Sequence, residues 1–370
     1  MIVRTALLSF LLLTAATPAE AVKETDFGRT KEGREAHLYT LSNGKGMRVS
    51  FTDLGGVITA IEVPDRNGKR ANVVLGFSNA AEYQAKNDNY FFGVPVGRFA
   101  NRIKGARFAL DGHTYQLTPN NGPNLLHGGP PFYHQRFWAV STFARGNSVK
   151  LSLVSPDGDQ GFPGEVRLSM TYTLTSRNEL RIDYRATSSK PTVVNFTNHS
   201  YFNLAGEGSG DVGGQVIQIM GDRIAELDDQ AVPTGRILLV SGDYDLRQPR
   251  MIGDGLAALK AKGVGGYDNP WVFGEAPRRK PVLVARATDH ASGRMMEVLT
   301  TEPSMQFYTA NSEWGTDAGP SGTIYRRHGG FALETQHLPD SPNQPAFPTT
   351  TLRPGQVFKS TTIYRFPRRP

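Results

Sequence analysis

Residues 166–174 read VRLSMTYTL, and apolar and polar side chains alternate along them without a break. Residues 180–186, LRIDYRA, alternate in the same way, and the five residues TSRNE separate the two stretches. A period of two is typical of a β-strand that has one face in the core and the other in water. The two stretches together predict an antiparallel hairpin with one wet face.

Strand-like stretches recur along the chain, whereas helical patterns are few. VKLSLV (149–154), QVIQIM (215–220) and RMMEVLTT (294–301) read as further strands, and only 79–84 and 255–261 as short helices. Many short strands joined by turns predict an all-β antiparallel fold, and 370 residues are enough for a large sandwich or barrel. Because no change of composition marks a linker, we expect a single domain over residues 22–370.

The first 21 residues have a different character. MIVRTALLSFLLLTAATPAEA places Arg4 before an apolar run and ends in small residues, which is the layout of a secretory signal peptide. The apolar run is too short to span a bilayer, and a buried N-terminal helix is the alternative. We expect residues 1–21 to be a signal peptide cleaved after Ala21. The mature protein is then expected to be secreted or periplasmic, without membrane association.

The composition excludes several kinds of function. The chain has no Cys, so disulfides, thiolate catalysis and Cys-based metal sites are ruled out. Its net charge of +7 is spread over short clusters such as PRRK (277–280), without the interleaved aromatic residues of a nucleic-acid surface. We therefore expect no nucleic-acid partner.

Motifs for cofactors and metals are also missing from the sequence. GSGDVG (208–213) fits the string GxGxxG, but it leads into a predicted strand rather than a helix, so a Gly-rich turn is the better interpretation. There is no phosphate-binding loop, HExxH or GxSxG, and the eight His are scattered. The sequence predicts neither an organic cofactor nor a metal.

Polar clusters beside aromatic residues occur at six separate places. They are GVPVGRFANRIKGARF (93–108), NNGPNLLHGGP (120–130), NFTNHSYFNLAG (195–206), GVGGYDNPWVF (263–273), MQFYTAN (305–311) and FALETQHLPDSPNQPAFP (331–348). Singly, each has a structural explanation, such as a surface ion pair for Arg98 or Arg102, or a hydrogen-bonded histidine. Together they offer what a sugar needs, since its hydroxyls take bidentate polar partners and its apolar face takes an aromatic ring. The apolar neighbours of Glu334 are expected to desolvate it and raise its pKa.

In their order along the chain these motifs resemble the aldose 1-epimerase (galactose mutarotase) family. NFTNHSYFNLAG is similar to the family's most recognisable signature, with Ser200 where Thr is more usual, and GRFANRIKGARF, NLLHGG, MQFYTAN and LETQHLPDSPNQPAFP also match. The resemblance covers nearly the whole mature chain. It implies a large antiparallel β-sandwich, the galactose mutarotase-like supersandwich, with the sugar in an open cleft. It also implies an isomerase that interconverts the α and β anomers of aldohexoses such as galactose and glucose, with no metal or organic cofactor.

The resemblance implies roles for seven residues. Glu334 would be the general base on the anomeric hydroxyl O1, and His199 the general acid on the ring oxygen O5. Opening a cyclic hemiacetal requires both proton transfers, and a carboxylate and an imidazolium on opposite sides of the C1–O5 unit perform them together. The residues expected to bind the sugar are Asn101, Arg102, His127, Asp268 and Gln306.

One stretch departs from the family's pattern. The family often has GYDHNY or similar around the aspartate, whereas this chain has GYDNPW around Asp268. We expect Pro270 to stiffen a loop there and Trp271 to add a stacking surface for the sugar. The preferred sugar is therefore left open.

Three other functions compete with the mutarotase. A non-catalytic carbohydrate-binding or sensing domain on the same sandwich is expected to lack Glu334 or His199, and both are present. A polysaccharide lyase or glycosidase would favour a longer groove with paired carboxylates or a Tyr base. A sugar-phosphate mutarotase would use the basic residues, but the LETQHLPDSPNQP run resembles the free-sugar branch. The expected partner is a small aldohexose, bound by a monomer or homodimer.

Overall fold

The computed structural model describes residues 22–143, 147–312 and 314–367. The predicted signal peptide, residues 1–21, lies outside the described residues. Within the described residues, no helix is both long enough and apolar enough to cross a membrane.

Strands dominate the described residues. In chain order they are β1 (Lys23–Arg29), β2 (Glu35–Ser42), β3 (Arg48–Thr52), β4 (Ile58–Pro64), β5 (Arg70–Asn72), β6 (Val94–Val96), β7 (Arg102–Ile103), β8 (Arg107–Leu110), β9 (His113–Gln116), β10 (Leu125–Leu126), β11 (Ala139–Thr142), β12 (Ser148–Ser155), β13 (Val166–Leu174), β14 (Glu179–Ser188), β15 (Thr192–Val193), β16 (Thr197–His199), β17 (Tyr201–Phe202), β18 (Val216–Ile219), β19 (Arg223–Leu227), β20 (Pro233–Leu239), β21 (Arg250–Met251), β22 (Asp268–Val272), β23 (Val282–Thr288), β24 (Met295–Thr300), β25 (Ser304–Tyr308), β26 (Phe331–Gln336), β27 (Thr351–Leu352) and β28 (Phe358–Arg365). The α-helices are α1 (Ala80–Lys86) and α2 (Ile252–Ala261).

Three large antiparallel sheets share the main hydrophobic core. A nine-stranded sheet has the order β11-β12-β13-β14-β28-β24-β23-β18-β21, a six-stranded sheet β17-β26-β25-β22-β19-β20, and a five-stranded sheet β1 to β5. Ring contacts join them: Phe202 lies 5.0 Å from Tyr364 across the six- and nine-stranded sheets, and Phe51 lies 4.9 Å from Tyr172 across the five- and nine-stranded sheets. The predicted all-β sandwich with few short helices is confirmed.

The hairpin expected from VRLSMTYTL is strands β13 and β14 of the nine-stranded sheet. They pair in continuous antiparallel register, with Met170 opposite Tyr184 and Tyr172 opposite Ile182. Alternate residues of β13 are buried, as the period of two predicts. The connection is one residue shorter than expected, because Glu179 already belongs to β14 and pairs with Arg365.

Both predicted helices exist with shifted ends. The helix expected at 79–84 begins after Asn79, whose side chain accepts a hydrogen bond from the Glu82 N–H, and it runs on to Lys86. The helix expected at 255–261 begins three residues earlier, at Ile252. The three further predicted strands are β12, β18 and β24, each within two residues of the predicted ends.

The stretch from Asp268 to Val272 is strand β22, not a loop. Pro270 pairs with Gln306 of β25 and so stiffens no loop there. Trp271 is fully buried in the main core, with its ring 6.0 Å from that of Phe307. The expectation that Trp271 stacks on the sugar is wrong. Successive side chains of a strand face opposite sides of the sheet, so Trp271, three residues after Asp268, lies on the face away from it.

Candidate active site

Three neighbouring strands of the six-stranded sheet carry site residues on one face. Gln306 of β25 lies opposite both Pro270 of β22 and Glu334 of β26. Because side chains alternate along a strand, Asp268, two residues from Pro270, shares this face with Gln306 and Glu334. The sheet therefore brings together polar residues from two distant sequence motifs and from the GYDNPW stretch.

His199 reaches the same place from the edge of this sheet. Strand β17 pairs Tyr201 with Ala332 of β26, and the same register continued by two residues places His199 opposite Glu334. The Nε2 atom of His199 lies 3.4 Å from Oε1 of Glu334. The two predicted proton-transfer residues are thus direct neighbours.

These residues line a cavity of about 220 Å³. Six of the seven predicted site residues form its wall, namely Asn101, Arg102, His127, His199, Asp268 and Glu334. Gln306 lies behind Asp268 instead, where its Nε2 donates a hydrogen bond of 2.6 Å to Asp268 Oδ1. The structure gives Gln306 a supporting position rather than a place in the wall.

Burial sets the protonation of the central pair. Glu334 and His199 are 2% and 4% exposed. Burial, helped by the charge of Asp268, raises the pKa of Glu334 well above its usual range, while Arg102 opposes this. Burial lowers the pKa of His199 to about 4. When the pair holds one proton, these two shifts place that proton on Glu334 and leave His199 neutral.

This protonation differs from the imidazolium expected of His199. The predicted desolvation of Glu334 is confirmed, whereas the sequence around His199 did not indicate how deeply its imidazole is buried. Desolvation penalises both charges, so the carboxylic acid beside a neutral imidazole is the resting form. The carboxylate beside an imidazolium contains the same number of protons and is reached by one proton transfer across the 3.4 Å contact.

His127 is held in one tautomer by the main chain. The main-chain N–H of Asn101 donates to His127 Nδ1 at 3.2 Å, and the main-chain N–H of His127 donates to the Asn101 carbonyl oxygen at 3.1 Å. Burial lowers the pKa of His127 well below its usual range, with the neighbouring His199 and Arg102 adding to the shift. A neutral imidazole that accepts at Nδ1 carries its proton on Nε2. His127 is therefore a fixed hydrogen-bond donor at Nε2.

The loops that carry these residues are strained. Phe91, Asn101 and His127 line the cavity and have φ values of 59°, 64° and 52°. Non-glycine residues in this left-handed region cost about 1–3 kcal/mol each and cluster at functional sites. The glycine after His127 is required by close packing, because a Cβ on Gly128 would lie 2.4 Å from the Gly97 carbonyl oxygen.

Arg102 and Asp268 face each other across the cavity. The Arg102 Nη1 lies 3.8 Å from Asp268 Oδ2, and Arg102 Nε donates to Asn121 Oδ1 at 3.1 Å. With Gln306 behind it, Asp268 has both carboxylate oxygens directed by neighbours. This arrangement presents a fixed donor and a fixed acceptor, which suits sugar hydroxyls.

Three buried polar atoms of the site have no hydrogen-bond partner among the described residues. They are His199 Nδ1, Gln306 Oε1 and Glu334 Oε2. Buried polar atoms without partners are costly, so the two that belong to cavity-lining residues, on His199 and Glu334, indicate that a bound molecule supplies the partners.

His127, His199 and Glu334 also form a cluster of metal-ligand type. Their ligand atoms all lie within 4.8 Å of one another. A histidine that binds a metal through Nε2 donates its Nδ1 proton to an acceptor. His127 does the reverse, because its Nδ1 accepts from Asn101 and its Nε2 holds the proton. This geometry fits a site that moves protons and does not fit a metal centre.

Aromatic residues around the cavity were missed by the sequence reasoning. The wall also contains Phe91, Tyr308 and Trp314. Tyr308 had a signal, since it lies two residues after Gln306 on the same strand and so on the same face. Trp314 lies in a loop with no regular pattern, and nothing in the sequence connects it to this cavity.

Arg98, from the first polar cluster, lies outside the site. It is fully buried and donates to the carbonyl oxygens of Ser155, Pro156 and Pro163. Its role is to tie loops together, and the surface ion pair considered for it is absent from the described contacts.

Solved structures show the class to which this fold and site belong. The GalM/aldose epimerase homologue from C. elegans superposes with a TM-score of 0.81 at 31% identity, covering 90% of this chain and 100% of that chain. Galactose 1-epimerase from Lactobacillus acidophilus NCFM superposes with a TM-score of 0.79 at 25% identity, covering 93% and 98%. The fold is the galactose mutarotase-like supersandwich, and the class is that of sugar epimerases.

Sequence comparison defines the family. Residues 37–365 match the family model described as aldose 1-epimerase. Galactose mutarotase of Rattus norvegicus is 42% identical over 347 residues, which cover 94% of this chain and 98% of the rat protein. Aldose 1-epimerase of Escherichia coli K12 is 37% identical over 340 residues, covering 90% and 96%. The chain belongs to the aldose 1-epimerase family, and it is an isomerase with mutarotase function.

Proposed function

We propose that this chain interconverts the α and β anomers of free aldohexoses such as D-galactose and D-glucose, with Glu334 and His199 as the proton-transfer pair. The observation that carries the proposal is the 3.4 Å contact between these two buried groups at the wall of a polar cavity. The relatives named for galactose and for aldoses support the substrate class.

The chemistry follows from the substrate. A pyranose is a cyclic hemiacetal, so the ring opens when O1 loses a proton and O5 gains one. Glu334, as the carboxylate, takes the O1 proton, and His199, as the imidazolium, protonates O5. The open aldehyde rotates about C1–C2, and the ring closes on the other carbonyl face with the two roles reversed.

Substrate binding prepares the pair for this step. An O1 hydroxyl that donates to the unpartnered Glu334 Oε2 stabilises the carboxylate, and Arg102 acts in the same direction. The proton that Glu334 releases passes to His199 across their contact. His127 donates from Nε2 to a sugar oxygen, and Arg102 and Asp268 bind hydroxyls, with Asn101 and Gln306 holding them in place.

The charges of the cavity favour a neutral sugar. Among the residues that line the cavity, Arg102 is the one basic side chain of the lysine or arginine type, and it already faces Asp268. Glu334 is the other carboxyl group in the wall. A sugar phosphate would bring two negative charges to this site without an unshared cation to receive them. Galactose 6-phosphate is therefore expected to be a much poorer substrate than galactose.

Polarimetry of freshly dissolved α-D-glucose and α-D-galactose tests the proposal. The wild type should accelerate the drift in optical rotation over the uncatalysed rate. Glu334→Gln and His199→Asn should each lower kcat by about 10²-fold or more, the usual contribution of general acid–base catalysis. His37→Asn is the matched control, since His37 also pairs with a carboxylate, Asp53, at 3.0 Å but outside the cavity.

Two results would count against the proposal. A wild type without effect on any aldose removes the activity itself. A Glu334→Gln protein with full activity removes the assignment of the base. A non-catalytic sugar-binding domain would bind galactose, but neither the wild type nor Glu334→Gln would accelerate the change in optical rotation.

We also propose export of the mature protein, on the strength of residues 1–21 alone. An exported mutarotase would equilibrate anomers before sugar uptake across a membrane. Cell fractionation decides the point, and finding the mature protein in the cytosol would contradict it. We propose a monomer or homodimer, which sedimentation analysis distinguishes.

A further inference from the structure

Among the described residues, the strands that carry His199 and Glu334, β16 and β26, pack together without a hydrogen-bonded ladder between them. The ladder partner of β16 is β6, in which His199 pairs with Val94. Strand β17 joins β26 only through Tyr201 and Phe202. On the other side of His199, towards residue 195, a side chain connects the two segments.

Asn195 is that group. Its Oδ1 accepts the His337 N–H at 3.0 Å, and its Nδ2 donates to the His337 carbonyl oxygen at 3.1 Å. The side-chain amide thus copies the paired bonds of a β-ladder. Nδ2 also donates to the Ala100 carbonyl oxygen at 3.3 Å, and Asn195 is fully buried.

The main chain of Asn195 adds a third connection. Its N–H donates to the Arg98 carbonyl oxygen at 3.0 Å, and its carbonyl oxygen accepts the Ala100 N–H at 2.9 Å. One residue therefore contacts the segment just before Asn101 and Arg102, and the segment just after Glu334. It also begins the segment that leads to His199.

His337, the partner of Asn195, is buried beside a carboxyl group. Its Nδ1 lies 2.6 Å from Glu302 Oε2, and both side chains are buried. The main chain of His337 is held by Asn195, and its ring is buried next to the Glu302 carboxyl group.

We propose that Asn195 is a positioning residue that sets the distance between His199 and Glu334, an inference that rests on the proposed function. The side-chain amide accepts from the His337 N–H and donates to its carbonyl oxygen at the same time, whereas alanine can do neither and a carboxylate can only accept. Loss of these hydrogen bonds leaves Tyr201 and Phe202 as the ladder contacts between the two strands. A displacement of about 1 Å at reacting groups costs up to about 10²-fold in rate.

Asn203 provides a matched control in the same motif. It is also fully buried, and its side chain donates to the carbonyl oxygens of Gly210 and Gly329 and accepts from Ala205 and Gln215. None of these four partners is a site residue, and Gly329, which lies in the segment leading into β26, is five residues from Glu334. Asn203→Ala should therefore lower the melting temperature about as much as Asn195→Ala, without affecting the catalytic pair.

The experiment compares Asn195→Ala, Asn195→Asp and Asn203→Ala with the wild type at a temperature where all four are folded by circular dichroism. We expect Asn195→Ala to lower kcat about 10- to 100-fold with a smaller change in KM, and Asn203→Ala to keep kcat within about twofold. Asn195→Asp should regain activity towards acid pH, where a protonated carboxyl group again donates one hydrogen bond. Equal loss in Asn195→Ala and Asn203→Ala, or full kcat in Asn195→Ala, would overturn the proposal.

A second readout does not depend on activity. NMR signals of the imidazole of His199 are assigned by their loss in His199→Asn, among the eight His of the chain. Asn195→Ala should shift these signals and Asn203→Ala should not. If the wild type proves inactive, the proposed function fails, but the positioning role can still be tested. Unshifted His199 signals in Asn195→Ala would overturn that role, and shifted signals would support it.

Discussion

His199 Nε2 lies 3.4 Å from Glu334 Oε1, and both side chains are closed off from solvent. Because neither charge is well solvated, burial raises the pKa of Glu334 and lowers the pKa of His199, and at this distance the two groups titrate as a coupled pair. General acid–base catalysis of ring opening needs one proton in the pair, placed on either partner in turn. The burial that makes each group a poor ion alone is what makes the pair suitable for reversible proton transfer.

The pH dependence of kcat/KM should follow this one-proton state. Activity is lost at acid pH when both groups are protonated and at alkaline pH when both are deprotonated. Since burial lowers the pKa of His199 to about 4, the acid limb is expected near pH 4. Polarimetry against enzyme-free buffer at each pH measures it. An acid limb near 6.5, the ordinary value for histidine, would contradict the neutral imidazole.

Glu334→Gln should be more stable than the wild type, by an amount that grows with pH. The folded wild type keeps the Glu334 proton above the unfolded pKa of 4.5, so its stability falls as pH rises through the interval up to the raised folded pKa. The slope is about 1.4 kcal/mol per pH unit for one proton. Urea unfolding at several pH values measures the gap, and a constant difference would contradict the raised pKa.

The charges beside Glu334 should move the alkaline limb in opposite directions. Asp268 raises the pKa of Glu334 and Arg102 lowers it. Asp268→Asn is therefore expected to shift the alkaline limb to lower pH, and Arg102→Met to shift it to higher pH. Both variants should also raise KM for galactose. The control is Asp53→Asn, whose carboxylate pairs with His37 away from the cavity and should leave the limb in place.

Chelators and zinc should leave the activity unchanged. The Nδ1 atom of His127 accepts a hydrogen bond from the Asn101 N–H, so the ring proton is on Nε2. Zinc could bind Nε2 only by displacing that proton. Nδ1 would then have no proton to donate, unlike the Nδ1 of a usual zinc-bound histidine. We expect the same rate with EDTA and with a modest excess of Zn²⁺. Stoichiometric inhibition by zinc that EDTA reverses and that His127→Gln abolishes would show that the tautomer is wrongly assigned.

Two tryptophans should separate stability from binding. Trp271 is fully buried in the core, so Trp271→Ala should cost about 3–5 kcal/mol of unfolding free energy with little change in KM. Trp314 lines the cavity and is only partly buried, so Trp314→Ala should mainly raise KM. Urea unfolding and initial rates on galactose measure the two effects. A raised KM in a folded Trp271→Ala protein with Trp314→Ala unchanged would reverse the assignment.

Much of the fold is readable from local pattern. The alternation in VRLSMTYTL gives strand β13 with its buried face, and Asn79 before a helical run gives the start of α1. Such features depend on neighbours within a few residues, which is why their ends shift by only one to three positions. GYDNPW was misread for the same reason, since proline and asparagine locally suggest a loop, whereas the pairing of β22 with β25 makes it a strand.

The motifs by themselves determined the family resemblance and the seven candidate residues, because residue types in a fixed order are a property of the sequence. Tertiary structure decided which of those residues contact one another and which line the cavity. It placed Glu334 against His199, moved Gln306 behind Asp268, and turned Trp271 into the core. The apolar neighbours of Glu334 predicted its raised pKa, but the lowered pKa values of His199 and His127 depend on burial and on charges that only the tertiary structure brings near.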